Sequence, residues 1–147
     1  MISKQIWFNG IIDLEGATFL KEQGVTHILS LVGAYAKHNE IEKLGMEIIK
    51  FSVSDQRGLA TEAVLPILRA IDDALQEQGS RIYIHCHAGQ LRAPTITWLY
   101  LIYAGASEQY ATDRLRTCAS MSPALHLVRN LDIMAIRKAR QEAGRPS

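Results

Sequence analysis

The sequence predicts an α/β fold with a central, largely parallel sheet of about four to five strands and helices on both faces. Three observations carry this. Short apolar runs alternate with stretches of helical periodicity along the chain. His27–Val32 is a near-continuous apolar run, as expected of a strand buried on both faces. Glycines stand where the patterns stop, at Gly24, Gly33, Gly79 and Gly105. A chain of 147 residues can bury a sizeable core, and residues 1–147 read as a single domain.

Gln5–Phe8 reads as a first short strand. Asp13–Gln23 is predicted helical, with Leu14, Ala17, Phe19 and Leu20 as its apolar positions and Gly24 as its stop. The buried strand His27–Val32 follows, then a short helix over His38–Leu44 and a third strand over Met46–Val53. A polar loop, Ser54-Asp55-Gln56-Arg57-Gly58, leads to Thr61, which reads as an N-cap. Val64, Leu65, Leu68, Ile71 and Leu75 then recur at helical spacing, and Pro66 argues for a later helix start. Arg81–Ile84 is a further strand, and Ala93–Tyr100 a buried helix with proline in its first turn. Ser107 is placed as the cap of a helix reaching Cys118, and a last helix is expected from Pro123 to Glu142. Near its end Arg137, Lys138 and Arg140 suit a solvated helix C-terminus. Gly144–Ser147 read as a frayed tail.

Composition narrows the function. Hydrophobic residues make up 48% and charged residues 21%, as in ordinary globular proteins. The net charge of +1 supplies no basic field, so nucleic acid is not an expected partner. The apolar stretch from Ile96 to Ala106 is too short to span a bilayer, and no membrane partner is expected. Met1–Gln5 lacks the pattern of a signal peptide. Cys86 and Cys118 form no disulfide framework, which fits a reducing compartment; a cytoplasmic monomer is expected. The five histidines are scattered, so no metal site and no cofactor is predicted.

The chemistry concentrates in His85-Cys86-His87-Ala88-Gly89-Gln90-Leu91-Arg92, where five residues separate Cys86 from Arg92. A strand precedes this stretch and a helix follows it. The helix N-terminus offers free N–H groups and a positive dipole end to an anion. A cysteine at such a terminus favours the thiolate, its nucleophilic form. Arginine can fork two hydrogen bonds onto an oxyanion. Gly89 sits where a backbone curling round a ligand needs positive φ or a close approach. Together these parts suit attack of sulfur on phosphate. The loop also lies beyond the carboxyl end of its strand, where ligands bind in such sheets.

His-Cys, five residues, then Arg, with glycine at the third loop position, resembles the signature of the cysteine-based protein tyrosine and dual-specificity phosphatases. Size and the Ala88-Gly89 pair look most like the dual-specificity branch. Ile6–Gly10 and Gly24–Leu31 are similar to that family's opening strands, so the resemblance covers roughly Gln5 to Cys118, with a looser match in the last helix. It implies a phosphatase fold and a catalytic domain working through a cysteinyl-phosphate intermediate, without metal. Cys86 is then the nucleophile. Arg92 and the backbone of His87, Ala88, Gly89, Gln90 and Leu91 hold the phosphoryl oxygens. His85 orders the loop and helps keep the cysteine ionised.

The proton donor should be a carboxylic acid on another loop. Asp55 is the best candidate, since it follows a strand and its loop contains Gly58, allowing movement; the resembled family uses an aspartate in the matching loop as acid and then base. Asp72 and Asp73 read as solvated helix residues, and Cys118 as an inert buried thiol rather than a redox partner of Cys86. Two departures stand out. Ala93 occupies a position that is usually serine or threonine in the family. The loop has no lysine or further arginine, unlike related enzymes acting on phosphoinositides. The expected substrate is a phosphotyrosine protein, with or without activity on phosphoserine and phosphothreonine. Two alternatives stay open: a phosphatase of a small molecule such as a nucleotide, sugar or inositol phosphate, and a catalytically weak phosphate-binding module.

Overall fold

The computed structural model describes residues 5–35 and 37–142. Four strands, β1 (Ile6–Asn9), β2 (His27–Ser30), β3 (Glu47–Lys50) and β4 (Ile82–His85), form one sheet in the order β1-β4-β2-β3. Every pairing within it is parallel. Among the described residues, seven helices join and follow the strands: α1 (Leu14–Glu22), α2 (His38–Glu42), α3 (Thr61–Gln76), α4 (Arg92–Tyr103), α5 (Glu108–Ala119), α6 (Leu125–Val128) and α7 (Ile133–Glu142). Among the described residues, no helix is long and apolar enough to cross a membrane.

Side-chain alternation explains the layers. Leu29, Ile82 and Ile84 leave one sheet face and pack with α3, α4, α5, α6 and α7. Ile28 and Tyr83 leave the other face and pack with Ala17 and Leu20 of α1 and Ile41 of α2. The two central strands, β2 and β4, are therefore buried on both sides. Helix α4 is the core helix, and its residues Ala93–Tyr100 are all buried.

Several expectations are corrected. Thr61 is the first residue of α3, not its cap; its Oγ1 instead accepts the Asp132 N–H at 2.9 Å, docking the start of α7. The helix does not start after Pro66 but contains it. Pro66 and Glu62, whose carbonyl loses its partner, both lie exposed, so water can satisfy the freed group. The single last helix Pro123–Glu142 is split into α6 and α7. Asp132 restarts the chain as a cap, its Oδ1 accepting the Ala135 N–H at 3.0 Å. Asp72 is not solvated. It is fully buried, accepts from Tyr100 Oη at 2.8 Å, and pairs with Arg140 Nε at 3.2 Å. Arg140 thus leaves the expected solvated cluster and joins α7 to α3. Cys118 is exposed on α5 rather than buried. The expected frayed tail, Gly144–Ser147, lies outside the described residues.

Candidate active site

The end of β4 delivers Cys86 to the carboxyl edge of the sheet, and α4 begins six residues later. Residues 86–91 form the loop between them. Cys86 is almost sealed, at 2% exposure, and its Sγ accepts the Ala93 N–H at 3.4 Å. No side chain caps α4, so its first N–H groups and its dipole face the loop.

The loop is held against the end of β1. Ile11 N donates to the His87 carbonyl at 3.0 Å, and Tyr83 Oη donates to the Gly10 carbonyl at 2.7 Å. Gly89 has φ +75°, and a Cβ there would stand 2.5 Å from Asn9 C and 2.5 Å from Gly10 N. A Cβ on Gly10 would meet the His87 carbonyl oxygen at 2.8 Å. Two backbones therefore touch where both lack side chains. Gly89 has the positive φ foreseen for it, and its close approach is to the end of β1. Gly10 is the partner that the loop motif by itself does not reveal.

Arg92 opens α4 and reaches across to the β3 side, where Nη1 donates to the Val53 carbonyl at 3.0 Å. Its buried Nε has no hydrogen-bond partner among the described residues. One end of the fork is anchored by backbone, and the other is left for an anion.

Asp55, Cys86, His87, Ala88, Gln90, Leu91 and Arg92 line one cavity of about 180 Å³. The fold thus brings together the three residues singled out for catalysis and four of the five loop residues; Gly89 is buried beneath. Asp55 itself is exposed at the rim. Its carbonyl accepts from His126 Nε2 at 2.8 Å, and Leu59 N donates to the Leu127 carbonyl at 2.8 Å, so α6 supports the Asp55 loop. Gly58, expected to allow movement, also has a packing reason: a Cβ would lie 2.9 Å from Asn130 Nδ2. His126 and Asn130 were not foreseen, since nothing local marks them.

His85 is fully buried behind the loop, and its Nδ1 lies 3.3 Å from the Cys86 carbonyl, to which only a protonated nitrogen can bond. Burial pushes its pKa down to about 4; the bond to Cys86 opposes this, and His38 and Arg92 add to it. His85 is therefore a neutral imidazole at neutral pH. It orients the Cys86 peptide, the first half of its expected role. The neighbouring ring of His38 lies 6.1 Å away, and burial lowers its pKa as well.

The resemblances to known proteins agree with this geometry. Residues 13–144 match the family described as Swiss Army Knife protein, DSP-PTPase phosphatase domain. The match includes the last helices, beyond the Cys118 limit expected from sequence, and leaves out β1. No curated protein matches the chain. Among solved structures, Tk-PTP in its active form is similar with a TM-score of 0.73 and 23% identity, over 97% of this chain and 95% of that one. PTPMT1 in complex with PI(5)P gives a TM-score of 0.79 at 16% identity, over 97% and 96% of the two chains. TpbA of P. aeruginosa gives 0.76 at 16% identity, over 95% and 88%. At such identities the likeness is one of fold.

Proposed function

The chain belongs to the Swiss Army Knife DSP-PTPase family of phosphatase domains, and from that premise we propose that it hydrolyses phosphotyrosine in proteins through a cysteinyl-phosphate intermediate, with residues 1–147 as one catalytic domain. The observation that carries the proposal is the single cavity shared by Cys86, Arg92 and Asp55.

The proposed steps use the residues that line this cavity. The substrate phosphoryl group sits over the N-terminus of α4, its oxygens taking the loop N–H groups and the free side of Arg92. Cys86 Sγ attacks phosphorus, forming S–P as the P–O bond to the leaving group breaks. Asp55 gives its proton to the departing oxygen. Water then attacks phosphorus, Asp55 takes a proton from it, and Cys86 leaves as thiolate with release of inorganic phosphate. His85 holds the Cys86 peptide throughout.

The cavity lining supports a monoester with one phosphate. Arg92 is its sole lysine or arginine, while Ala88 and Leu91 supply apolar surface for an aromatic ring. TpbA has been crystallised in complex with pTyr and PTPMT1 with PI(5)P, so the fold accommodates both kinds of ligand. The absence of further cationic side chains in this lining favours the phosphotyrosine reading over a multiply phosphorylated lipid.

The test compares kcat/KM for phosphotyrosine peptides, phosphoserine and phosphothreonine peptides, and phosphorylated nucleotides, sugars and inositols. Phosphotyrosine peptides should lead. Cys86→Ser should bind them without turnover, and Asp55→Ala should lose about 10²–10⁴-fold on substrates with poor leaving groups. A small phosphate ester preferred over every peptide would replace the substrate assignment, and turnover by Cys86→Ser would remove the mechanism.

A further inference from the structure

At the opposite edge of the sheet, the starts of two strands meet the end of a helix. His27 opens β2 and Glu47 opens β3, and the two are register partners in the parallel ladder. Their side chains therefore leave the same sheet face, the one covered by α3. Helix α3 runs back against the strand direction, as a crossover between parallel strands must, and its C-cap Glu77 ends above those strand starts.

The three side chains converge. His27 Nε2 lies 3.2 Å from Glu47 Oε2 and 3.6 Å from Glu77 Oε2. All three donor atoms fall within 4.8 Å of one another. They border a cavity of about 260 Å³ that Asp73 also lines, and no lysine or arginine lines it. The His27 side chain is only 4% exposed, whereas Glu47 and Glu77 keep 67% and 65% of theirs.

The imidazole is held from behind. Thr26 Oγ1 lies 2.7 Å from His27 Nδ1, and it donates its own proton to the Arg81 carbonyl at 3.0 Å while accepting the Arg81 N–H at 3.0 Å. That network fixes the ring so that Nε2 faces the two carboxylates. A metal-bound histidine is oriented in the same way, by a hydrogen bond at its other nitrogen. One imidazole nitrogen and two carboxylate oxygens within reach of one another form a donor set that a cation can join.

Spacing selects the class of cation. Tetrahedral bonds of about 2.0–2.2 Å imply ligand-to-ligand edges of about 3.3–3.6 Å. The two distances from His27 Nε2, 3.2 and 3.6 Å, lie close to that range, and the third stays within 4.8 Å. Octahedral magnesium, with bonds of about 2.0–2.1 Å, would need edges nearer ~2.9 Å, and calcium prefers six to eight oxygens. One imidazole and two carboxylates form a donor set for zinc, and the cavity leaves room for a water in the fourth position.

We propose that His27, Glu47 and Glu77 form a zinc-class divalent cation site that clamps the starts of β2 and β3 to the end of α3. The sequence does not show it because 20 and 50 positions separate the later ligands from His27, and only the parallel register brings them together. The site lies away from the Cys86 cavity and shares no residue with it.

The test is a titration with Co²⁺, followed by competition with Zn²⁺. Thiolates also take these ions, so the chain carries Cys86→Ser and Cys118→Ser. One Co²⁺ per chain should bind with the visible bands of a four-coordinate N/O site and be displaced by Zn²⁺. Glu47→Gln and Glu77→Gln should each weaken binding at least about tenfold. Both carboxylates are exposed, so these variants should keep their far-ultraviolet circular dichroism. Zn²⁺ should raise the unfolding temperature of the parent and not of the Glu47→Gln/Glu77→Gln double variant. Absence of saturable Co²⁺ uptake, or uptake unchanged in the double variant, would overturn the proposal and leave the cluster as a histidine–glutamate ion pair.

Discussion

Gly89→Ala probes how the Cys86 loop gets its shape. The added Cβ meets two separate obstacles. The first is conformational: φ +75° costs a non-glycine residue about 1–2 kcal/mol. The second is steric. The Cβ would stand 2.5 Å from two backbone atoms at the end of β1, about 1 Å inside ordinary van der Waals contact. Neither atom belongs to a side chain that can swing away, so the loop must lift from β1. Gly79 separates the two effects, for its φ is +77° and an added Cβ there meets nothing within 4 Å. Gly79→Ala should therefore lose about 1 kcal/mol in urea unfolding and keep native kcat/KM on an aryl phosphate. Gly89→Ala should lose more stability and also fall about 10²-fold in kcat/KM, the usual cost of misplacing reacting groups by an ångström. A Gly89→Ala enzyme within threefold of native kcat/KM, by the same assay, would show that contact with β1 does not set the loop.

Three more outcomes are expected. In the proposed second chemical step the Ala93 N–H contacts the departing Cys86 sulfur, and Thr95 cannot help because its hydroxyl donates to the Leu91 carbonyl at 2.6 Å and accepts the Ala124 N–H at 2.9 Å. A hydrogen bond to a charged group is worth about 1.5–3 kcal/mol, so Ala93→Ser should raise kcat by up to ten- to a hundredfold and shrink the burst of phenol in rapid mixing; no native burst and an unchanged kcat would refute this. Arg140→Ala takes the guanidinium from the buried Asp72 carboxylate, which keeps its bond from Tyr100, and should cost about 3 kcal/mol, the low end for a broken buried pair because Arg140 keeps 17% exposure; a loss under ~1 kcal/mol in urea unfolding would count against the ion pair. The folded state holds His85 near pKa 4 against 6.5 unfolded, so the unfolded chain binds more protons between those values. Stability should fall as pH drops from 6.5 toward 4, by up to about 3 kcal/mol, and His85→Gln should flatten the dependence; equal slopes would refute the assignment.

The strands and the reactive loop were legible because their signals are local. The run His27–Val32 and the spacing of Cys86 and Arg92 each lie within one short window, and both fall where expected. The Asp55 loop was found by its place after β3. What was missed depends on contacts distant in sequence. Asp72 looks like any helix-surface acid until α4 and α7 cover it. Thr61 looks like a cap until Asp132 takes its hydroxyl. The break before α7 was readable, since Asp132 precedes the apolar residues Ile133 and Ile136 in the manner of a cap. The apolar pattern carried through the gap and hid it. Cys118 was misjudged because thiols usually pack inside, whereas its position on α5 faces water.

The Asp72–Arg140 pair also bears on how the chain folds as it is synthesised. Strand β4, helix α4 and the Cys86 loop leave the ribosome well before residue 140, yet the carboxylate at position 72 lies in the core they build. Until α7 arrives, that core contains a charge without its guanidinium partner, or stays open to keep the charge wet. Closure of the core thereby waits for α7, and the nucleophile gains its finished surroundings only when that helix has emerged. A ribosome stalled before residue 140 should display a chain that proteases cut readily, even though every residue of the reactive loop is already outside.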